Sequence, residues 1–235
     1  MKAAIIIPVY NHGSRVSSVI DRCQPLAMPI IVVNDGSTDE TGLRLARRRD
    51  IFLINHPRNM GKGAALTSGM GLAHRMGCVA ALTIDADGQH DPADAAALLK
   101  KAGQCPAPCL VVGCRMAMQA GRNVPWTSRF GRDFSNFWVW AAGGPRLGDT
   151  QSGLRLYPLP ETLRLDIRAR RYQFEVEVLV RAHQAGIAVD EVPVRVIYQP
   201  PGERISHFRP WLDFWRNSAT FSGLIFSRIM GSLLP

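Results

Sequence analysis

Along the first half of the chain, short apolar runs alternate with longer segments whose apolar residues recur every three or four positions. The runs AAIIIPVY, MPIIVVND and CVAALTID are too short for helices and read as buried strands. Between them, SRVSSVIDRC, DETGLRLARRR and GKGAALTSGMGLAHRMG carry helical signals. PADAAALLKKAG is a further helical segment, and the strand-like CLVVGCR follows it. Strand, helix, strand alternation predicts an α/β fold with a parallel sheet, helices on its faces and right-handed crossovers. Ligands bind beyond the carboxyl ends of strands in such sheets. Tyr10 and Asn11, Asn34 and Asp35, and the Asp85–Asp87 tripeptide are therefore predicted to line one crevice.

After Gly113 the pattern loosens. The segment from Met116 to Gly144 mixes arginines with aromatics and has no strand period, and GDTQSGLRLYPLP reads as a Gly/Pro-rich connection. YQFEVEVLVRAHQAG reads as a helix. In the strand IAVDEVPVRVIY, Pro193 marks an edge or a strand start. The last stretch, RPWLDFWRNSATFSGLIFSRIM, places Trp211, Phe214, Trp215, Ser218, Ile225 and Ile229 on one helical face, with Arg209, Asp213, Arg216 and Thr220 largely opposite. Such an amphipathic helix suits a membrane interface; an apolar stripe packed on the core or on a second subunit is the competing reading.

The stretch from Cys78 to Asp94 turns from small apolar residues into four carboxylates. Side chains alternate along a strand, so Asp85 and Asp87 are expected to project on the same side at its carboxyl end. Two unpaired anions that close repel unless a cation sits between them. A divalent ion is the simplest such cation, and oxygen-only ligands with Gln89 nearby favour Mg²⁺ or Mn²⁺ over zinc. Asp91 and Asp94 are assigned instead to turn and helix-start chemistry around Pro92.

Composition narrows the setting. The chain has 235 residues, 46% hydrophobic and 20% charged, enough for one sizeable α/β domain or for a domain with an appendage. A formal net charge of +9 implies an anionic partner: nucleic acid, a phosphate-bearing ligand or a lipid headgroup. The apolar run at the N-terminus breaks at Pro8 and lacks a cleavage site, so it reads as a strand and not a signal peptide. No segment has the roughly 18 uninterrupted apolar residues of a spanning helix. Five scattered cysteines suit a reducing compartment, and Cys105 and Cys109 read as buried or incidental thiols rather than zinc ligands. NMGKGAALTSG lacks both the third glycine of a dinucleotide fingerprint and the ending of a P-loop. Lys62 in that turn is open to two readings: a phosphate contact through charge and backbone amides, or a solvated lysine beside a tight turn.

In order along the chain, IIIPVYN, IIVVNDGSTDET, NMGKGAAL, IDADGQHDP, VVGCR, DTQSGLRLYP, YQFEVEVLVRA, VDEVPV and GERISHF resemble the inverting glycosyltransferases of family 2, especially the dolichyl-phosphate mannose synthase-like branch. The resemblance spans Ala3 to Phe208. It implies a GT-A fold with a mostly parallel central sheet, helices on both faces and a C-terminal amphipathic helix. Residues 1–208 would be the catalytic domain, with a nucleotide-sugar half to residue 115 and an acceptor half after it; residues 209–235 would be the helix. It further implies that Pro8, Tyr10 and Asp35 contact the nucleoside, Asp35 by accepting from the base, with Asn11 among the substrate-binding residues beside them. Asp85, Asp87 and Gln89 would hold Mg²⁺ or Mn²⁺ on the diphosphate, where the ion stabilises the leaving group's developing charge. Arg115, Arg204 and His207 become positive groups near donor or acceptor phosphates, and Lys62 is a further substrate-binding candidate. Asp149 is the candidate base for an inverting attack, or an orienting group where the acceptor is already an anionic phosphate, and Glu175 is a further acceptor-side carboxylate. Two positions depart from the family's pattern: His12 stands where many relatives have Glu, leaving the base preference between uracil and guanine open, and His207 stands where lysine is common, so that phosphate contact there depends on pH.

The leading expectation is a metal-dependent transfer of a sugar from a UDP- or GDP-sugar to a lipid-linked or polyprenyl-phosphate-like acceptor. The protein is then expected to be cytoplasmic and peripheral on the cytosolic membrane face, with no nucleic-acid partner; oligomeric state is left open. A sugar nucleotidyltransferase fits less well, because VYNHGSR occupies the place of the glycine-rich loop that class carries after its first strand. A basic nucleic-acid-binding or non-catalytic nucleotide-binding protein is the alternative from another class.

Overall fold

The computed structural model describes residues 1–115, 126–197, 220–222 and 224–225, with the side chains of residues 126–130 outside the description. Arg204, His207 and most of the C-terminal amphipathic segment lie outside the described residues. Seven strands form one sheet: β1 (Ala3–Val9), β2 (Ile30–Asn34), β3 (Phe52–Asn55), β4 (Ala80–Thr83), β5 (Cys109–Cys114), β6 (Arg155–Pro158) and β7 (Ala188–Pro193), in the order β3-β2-β1-β4-β6-β5-β7. Pairing is parallel except along β6, which runs antiparallel to both β4 and β5. The helices are α1 (Gly13–Cys23), α2 (Thr41–Ala46), α3 (Lys62–Arg75), α4 (Ala95–Gln104), α5 (Trp126–Ala141) and α6 (Phe174–Gln184). Strands from before and after residue 115 share this sheet.

Alternation along β1 builds two cores. Ala4 and Ile6 face one side, where they join Ile31, Val33, residues Ala65, Leu66, Met70 and Ala73 of α3, and Val176, Leu179 and Val180 of α6. Ala3, Ile5, Ile7 and Val9 face the other and join Val16, Val19 and Ile20 of α1 and Leu98 of α4. Both faces of the strands are thus covered, as a mostly parallel sheet requires. Helix α3 approaches β1 closely because Gly69 has no side chain: a Cβ there would stand 2.5 Å from Cγ2 of Ile6.

Three elements differ from the sequence reading. β3 has only partly buried or exposed positions and no apolar period, as an edge strand of the sheet. β6 lies inside the stretch read as a connection. Its Arg155, polar in sequence, is fully buried and donates to three backbone carbonyls, those of Thr150, Ser152 and Glu175. α5 occupies the arginine- and aromatic-rich stretch. The edge position read from Pro193 holds, with Pro193 the last residue of β7. The five thiols are unpaired, and no described helix is long and apolar enough to cross a membrane.

Candidate active site

The crevice lies beyond the carboxyl ends of β1, β2 and β4, and two loops there are knitted together by side chains. The Asn11 carboxamide oxygen accepts from the amides of Thr38 and Asp39, and the Ser37 hydroxyl accepts from the Asn11 amide. His12 N–H donates to Thr41 Oγ1 and Gly13 N–H to Asp39. Asn11 therefore binds the chain itself, and its positive φ of 54° belongs to this turn. Pro8 and Tyr10 are half-buried at the same end of β1.

Asp35 is buried, and both of its carboxylate oxygens are engaged. It accepts from Met60 N–H at 2.9 Å, from Gly61 N–H at 2.7 Å, and meets His56 Nδ1 at 2.7 Å, while His56 Nε2 meets the Ser68 hydroxyl at 3.0 Å. Asp35 thus ties down the turn before α3, with Met60 N–H and His56 on Oδ1 and Gly61 N–H on Oδ2. The same contacts take two of the amides expected to cradle a phosphate beside Lys62, and Ala64 N–H donates to the Arg170 carbonyl.

Lys62 opens α3 and reaches across the crevice. Its ammonium lies 2.6 Å from Asp85 Oδ1 and 2.8 Å from Glu175 Oε1, joining the end of β4 to the first turn of α6. It is an internal cation, not a solvated one. Burial alone would lower its pKa, but the two carboxylates overcome that and raise it. Burial likewise works to raise the pKa of Asp85, and Lys62 pulls it below the usual carboxylate value. Glu175, in the first turn of α6, is only 7% exposed. Asp85 and Asp87 sit just past β4, partly exposed, with buried Ala86 between them, the alternation expected of a strand end. Asp87 Oδ1 accepts from Gln89 N–H at 3.0 Å.

Beside these, Arg115 follows β5 and forms a two-point ion pair with Asp149: Nη2 donates to Oδ1 at 2.8 Å and Nε donates to Oδ2, with the Arg115 amide also on Oδ2. Asp149 is 1% exposed. Burial works to raise its pKa, but the guanidinium and the Gln151 amide hold it below the ordinary carboxylate value. A general base works best with a pKa near the operating pH and an open lone pair. In this structure both oxygens of Asp149 accept from Arg115, and Oδ1 also accepts from the Gln151 amide. The turn carrying it is fixed by Asn136 of α5, which donates to the Gly148 carbonyl and accepts from Thr150 N–H.

Sequence reasoning missed the residues that hold the loop from Asp87 to Asp94. Arg15 donates to the Asp87 carbonyl, and Arg22 to the Gly88 and His90 carbonyls. From after β7, Arg195 pairs with Asp91 and Asp94, both at 3.0 Å, and Ile197 N–H donates to the Gln89 carbonyl. His90, four residues from the second core's Ala86, is buried with Nδ1 unpartnered; burial keeps its imidazole neutral, with a pKa lowered to about 4. None of these contacts has a local sequence signal, because each joins segments far apart in the chain.

A divalent ion is compatible with this donor set. Asp85, Asp87 and the Gln89 carboxamide offer hard oxygens at partly exposed positions, the preference of Mg²⁺ and Mn²⁺. Oδ2 of Asp85 lies over Gly153, where a Cβ would come within 2.0 Å, so only glycine leaves that oxygen its space. Among the described residues no three His, Cys, Asp or Glu side chains converge as a metal cage.

The mostly parallel sheet with its antiparallel β6 is a GT-A fold. A solved structure described as mannose-1-phosphate geranyltransferase from Thermus thermophilus superposes with a TM-score of 0.51 at 13% identity, over 85% of this chain and 76% of that one. The sequence profile described as glycosyl transferase family 2 matches residues 4–162. The chain belongs to that family and is a glycosyltransferase. Among its relatives are the UDP-N-acetylglucosamine–dolichyl-phosphate N-acetylglucosaminyltransferase of Methanococcus voltae, 30% identical over 83% of this chain and 85% of the relative, and the polyprenol monophosphomannose synthase of Mycolicibacterium smegmatis, 28% identical over 82% and 76%.

Proposed function

We propose that this glycosyltransferase moves a sugar, with inversion, from a UDP- or GDP-sugar to a polyprenyl-phosphate-type acceptor, with Mg²⁺ or Mn²⁺ bound at Asp85, Asp87 and Gln89. The observation that carries the acceptor class is the state of Asp149. The carboxylate best placed by sequence to act as base is sequestered and ionised through Arg115, whereas a phosphate acceptor is already an anion and needs no base. The names of the relatives point to the same acceptor chemistry.

In this reading Pro8 and Tyr10 border the nucleoside and Asp35 shapes that border from beneath. The Arg115 guanidinium, aimed by Asp149, presents its remaining N–H groups to phosphate oxygens. When bound, the divalent ion neutralises charge that develops on the leaving diphosphate. Asp85 and Asp87 hold their oxygens in place for it, and Lys62 adds a positive charge beside them. Arg204 and His207 are assigned to the acceptor phosphate, the segment after residue 208 to the membrane surface, and residues 1–208 to the catalytic domain.

The test is transfer from radiolabelled UDP- and GDP-sugars to a short-chain polyprenyl phosphate, with Mn²⁺ or with EDTA. A metal-dependent, lipid-extractable product is expected with one nucleotide. Transfer to a neutral polyprenol at an equal rate would refute the acceptor assignment, and full activity in EDTA would refute the metal.

A further inference from the structure

Lys62 is held in a way that neither phosphate binding nor solvation explains. Its ammonium is inserted between two carboxylates from different parts of the chain, Asp85 at 2.6 Å and Glu175 at 2.8 Å, and its side chain is only 15% exposed. It thus already supplies, from within the protein, the cation that the carboxylate cluster needs. Oδ2 of Asp85 is left over Gly153, while Oδ1 belongs to Lys62.

We propose that Lys62 is a resident counter-cation that competes with the divalent ion for Asp85, and that it gives up Asp85 and keeps Glu175 when a metal–diphosphate ligand binds. The inference rests on the reading of Asp85 and Asp87 as the metal site. Glu175 is then a positioning residue: it is the second berth that lets Lys62 leave Asp85 without becoming an unpaired buried charge, which is costly. The device keeps the nucleotide-free site poor in metal and favours entry of the ion together with the diphosphate, whose oxygens supply the missing ligands.

The test is Mn²⁺ binding by the full-length protein, read by EPR of free Mn²⁺ with and without UDP or GDP, and independent of turnover. Lys62→Met is expected to tighten Mn²⁺ binding in the absence of nucleotide by about tenfold or more, the lower end of what one neighbouring unit charge does to the proton affinity of a carboxylate. Glu175→Gln, which keeps its shape, is expected to weaken Mn²⁺ binding by leaving Lys62 wholly to Asp85. In the Lys62→Met background the same Glu175→Gln change is expected to have little effect, because its influence passes through the lysine. An equal Glu175→Gln effect with and without Lys62 would mean simple through-space charge and would overturn the proposal. So would unchanged or weaker Mn²⁺ binding in a folded Lys62→Met protein. Should Lys62→Met fail to fold, the sign of the Glu175→Gln change decides: tighter or unaltered binding overturns it. If Mn²⁺ binds with nucleotide and is lost in Asp87→Asn while Lys62→Met is indifferent, the metal site stands and only this inference fails. If Mn²⁺ binds to no form with or without nucleotide, the metal reading itself fails.

Discussion

Replacing Gly153 with alanine adds one methyl group at the most crowded point of the crevice. The new Cβ would lie 2.0 Å from Oδ2, 2.5 Å from Cγ and 2.8 Å from Oδ1 of Asp85, whereas ordinary contact begins near 3.4 Å. One side must therefore move by about 1.4 Å, the difference between 3.4 and 2.0. The main chain at Gly153 is pinned, since its carbonyl accepts from the Thr83 hydroxyl at 2.9 Å and Arg155 holds the carbonyls of Thr150 and Ser152. Asp85 is the softer side, but it can retreat only by disturbing Lys62 and, through it, Glu175. Overpacking of this kind costs about 1–3 kcal/mol, and in a protein of this size each kcal/mol lowers Tm by about 2–4 °C. A shift of more than about 1 Å in a group that positions the reaction lowers kcat/KM by roughly 10²-fold. The assays are thermal unfolding, the Mn²⁺-dependent thermal shift with nucleotide, and steady-state transfer. Gly103→Ala in α4 is the control: nothing lies within 4 Å of its Cβ, and alanine in a helix is worth about 0.5–1 kcal/mol over glycine. A Gly153→Ala enzyme with wild-type Tm, nucleotide shift and rate would refute the claim that Asp85 must occupy the space above that glycine.

Asp87→Asn is expected to abolish the metal-dependent part of the nucleotide thermal shift, which for a ligand at about 100 times its dissociation constant is worth roughly 2.7 kcal/mol; retention of that shift would contradict the metal assignment. Asp35→Asn leaves two backbone amides and His56 sharing one acceptor oxygen, so a loss of about 1–3 kcal/mol is expected in denaturant unfolding, with impaired nucleotide binding. The pH dependence follows from Asp149, whose folded pKa lies below the ordinary 3.8. Its stabilisation is fully present above that value and lost as pH falls through the folded pKa. Acid unfolding of the wild type should therefore be steeper below 3.8 than that of Asp149→Asn, a variant already weakened at neutral pH, by up to about 3–5 kcal/mol, because the mostly buried Arg115 loses its charge partner; equal slopes would refute it.

What was legible in the sequence is what has a period or a local cause. β1, β2, β4 and β5 announce themselves as apolar runs because both faces are buried, and Asp85 and Asp87 are visible because they follow such a run. β6 has no such signature. The charge of Arg155 makes it read as polar, and its burial makes sense only once carbonyls at Thr150, Ser152 and Glu175 are brought around the guanidinium. The state of each carboxylate was hidden for the same reason: Lys62 and Glu175 are 113 residues apart, and Arg115 and Asp149 are 34 apart. These gaps share one topological origin. Because β6 runs antiparallel between β4 and β5, Arg155 at its start pairs in register with Thr83 and Val112 near the carboxyl ends of its neighbours. The turn from Asp149 to Gly153 that precedes it is thereby delivered to the place where Asp85 and Arg115 emerge. A parallel strand in that slot would have sent the turn to the opposite edge of the sheet. The antiparallel β6 is thus the strand that completes the crevice, bringing Asp149 to Arg115 and the bare backbone of Gly153 beneath Asp85.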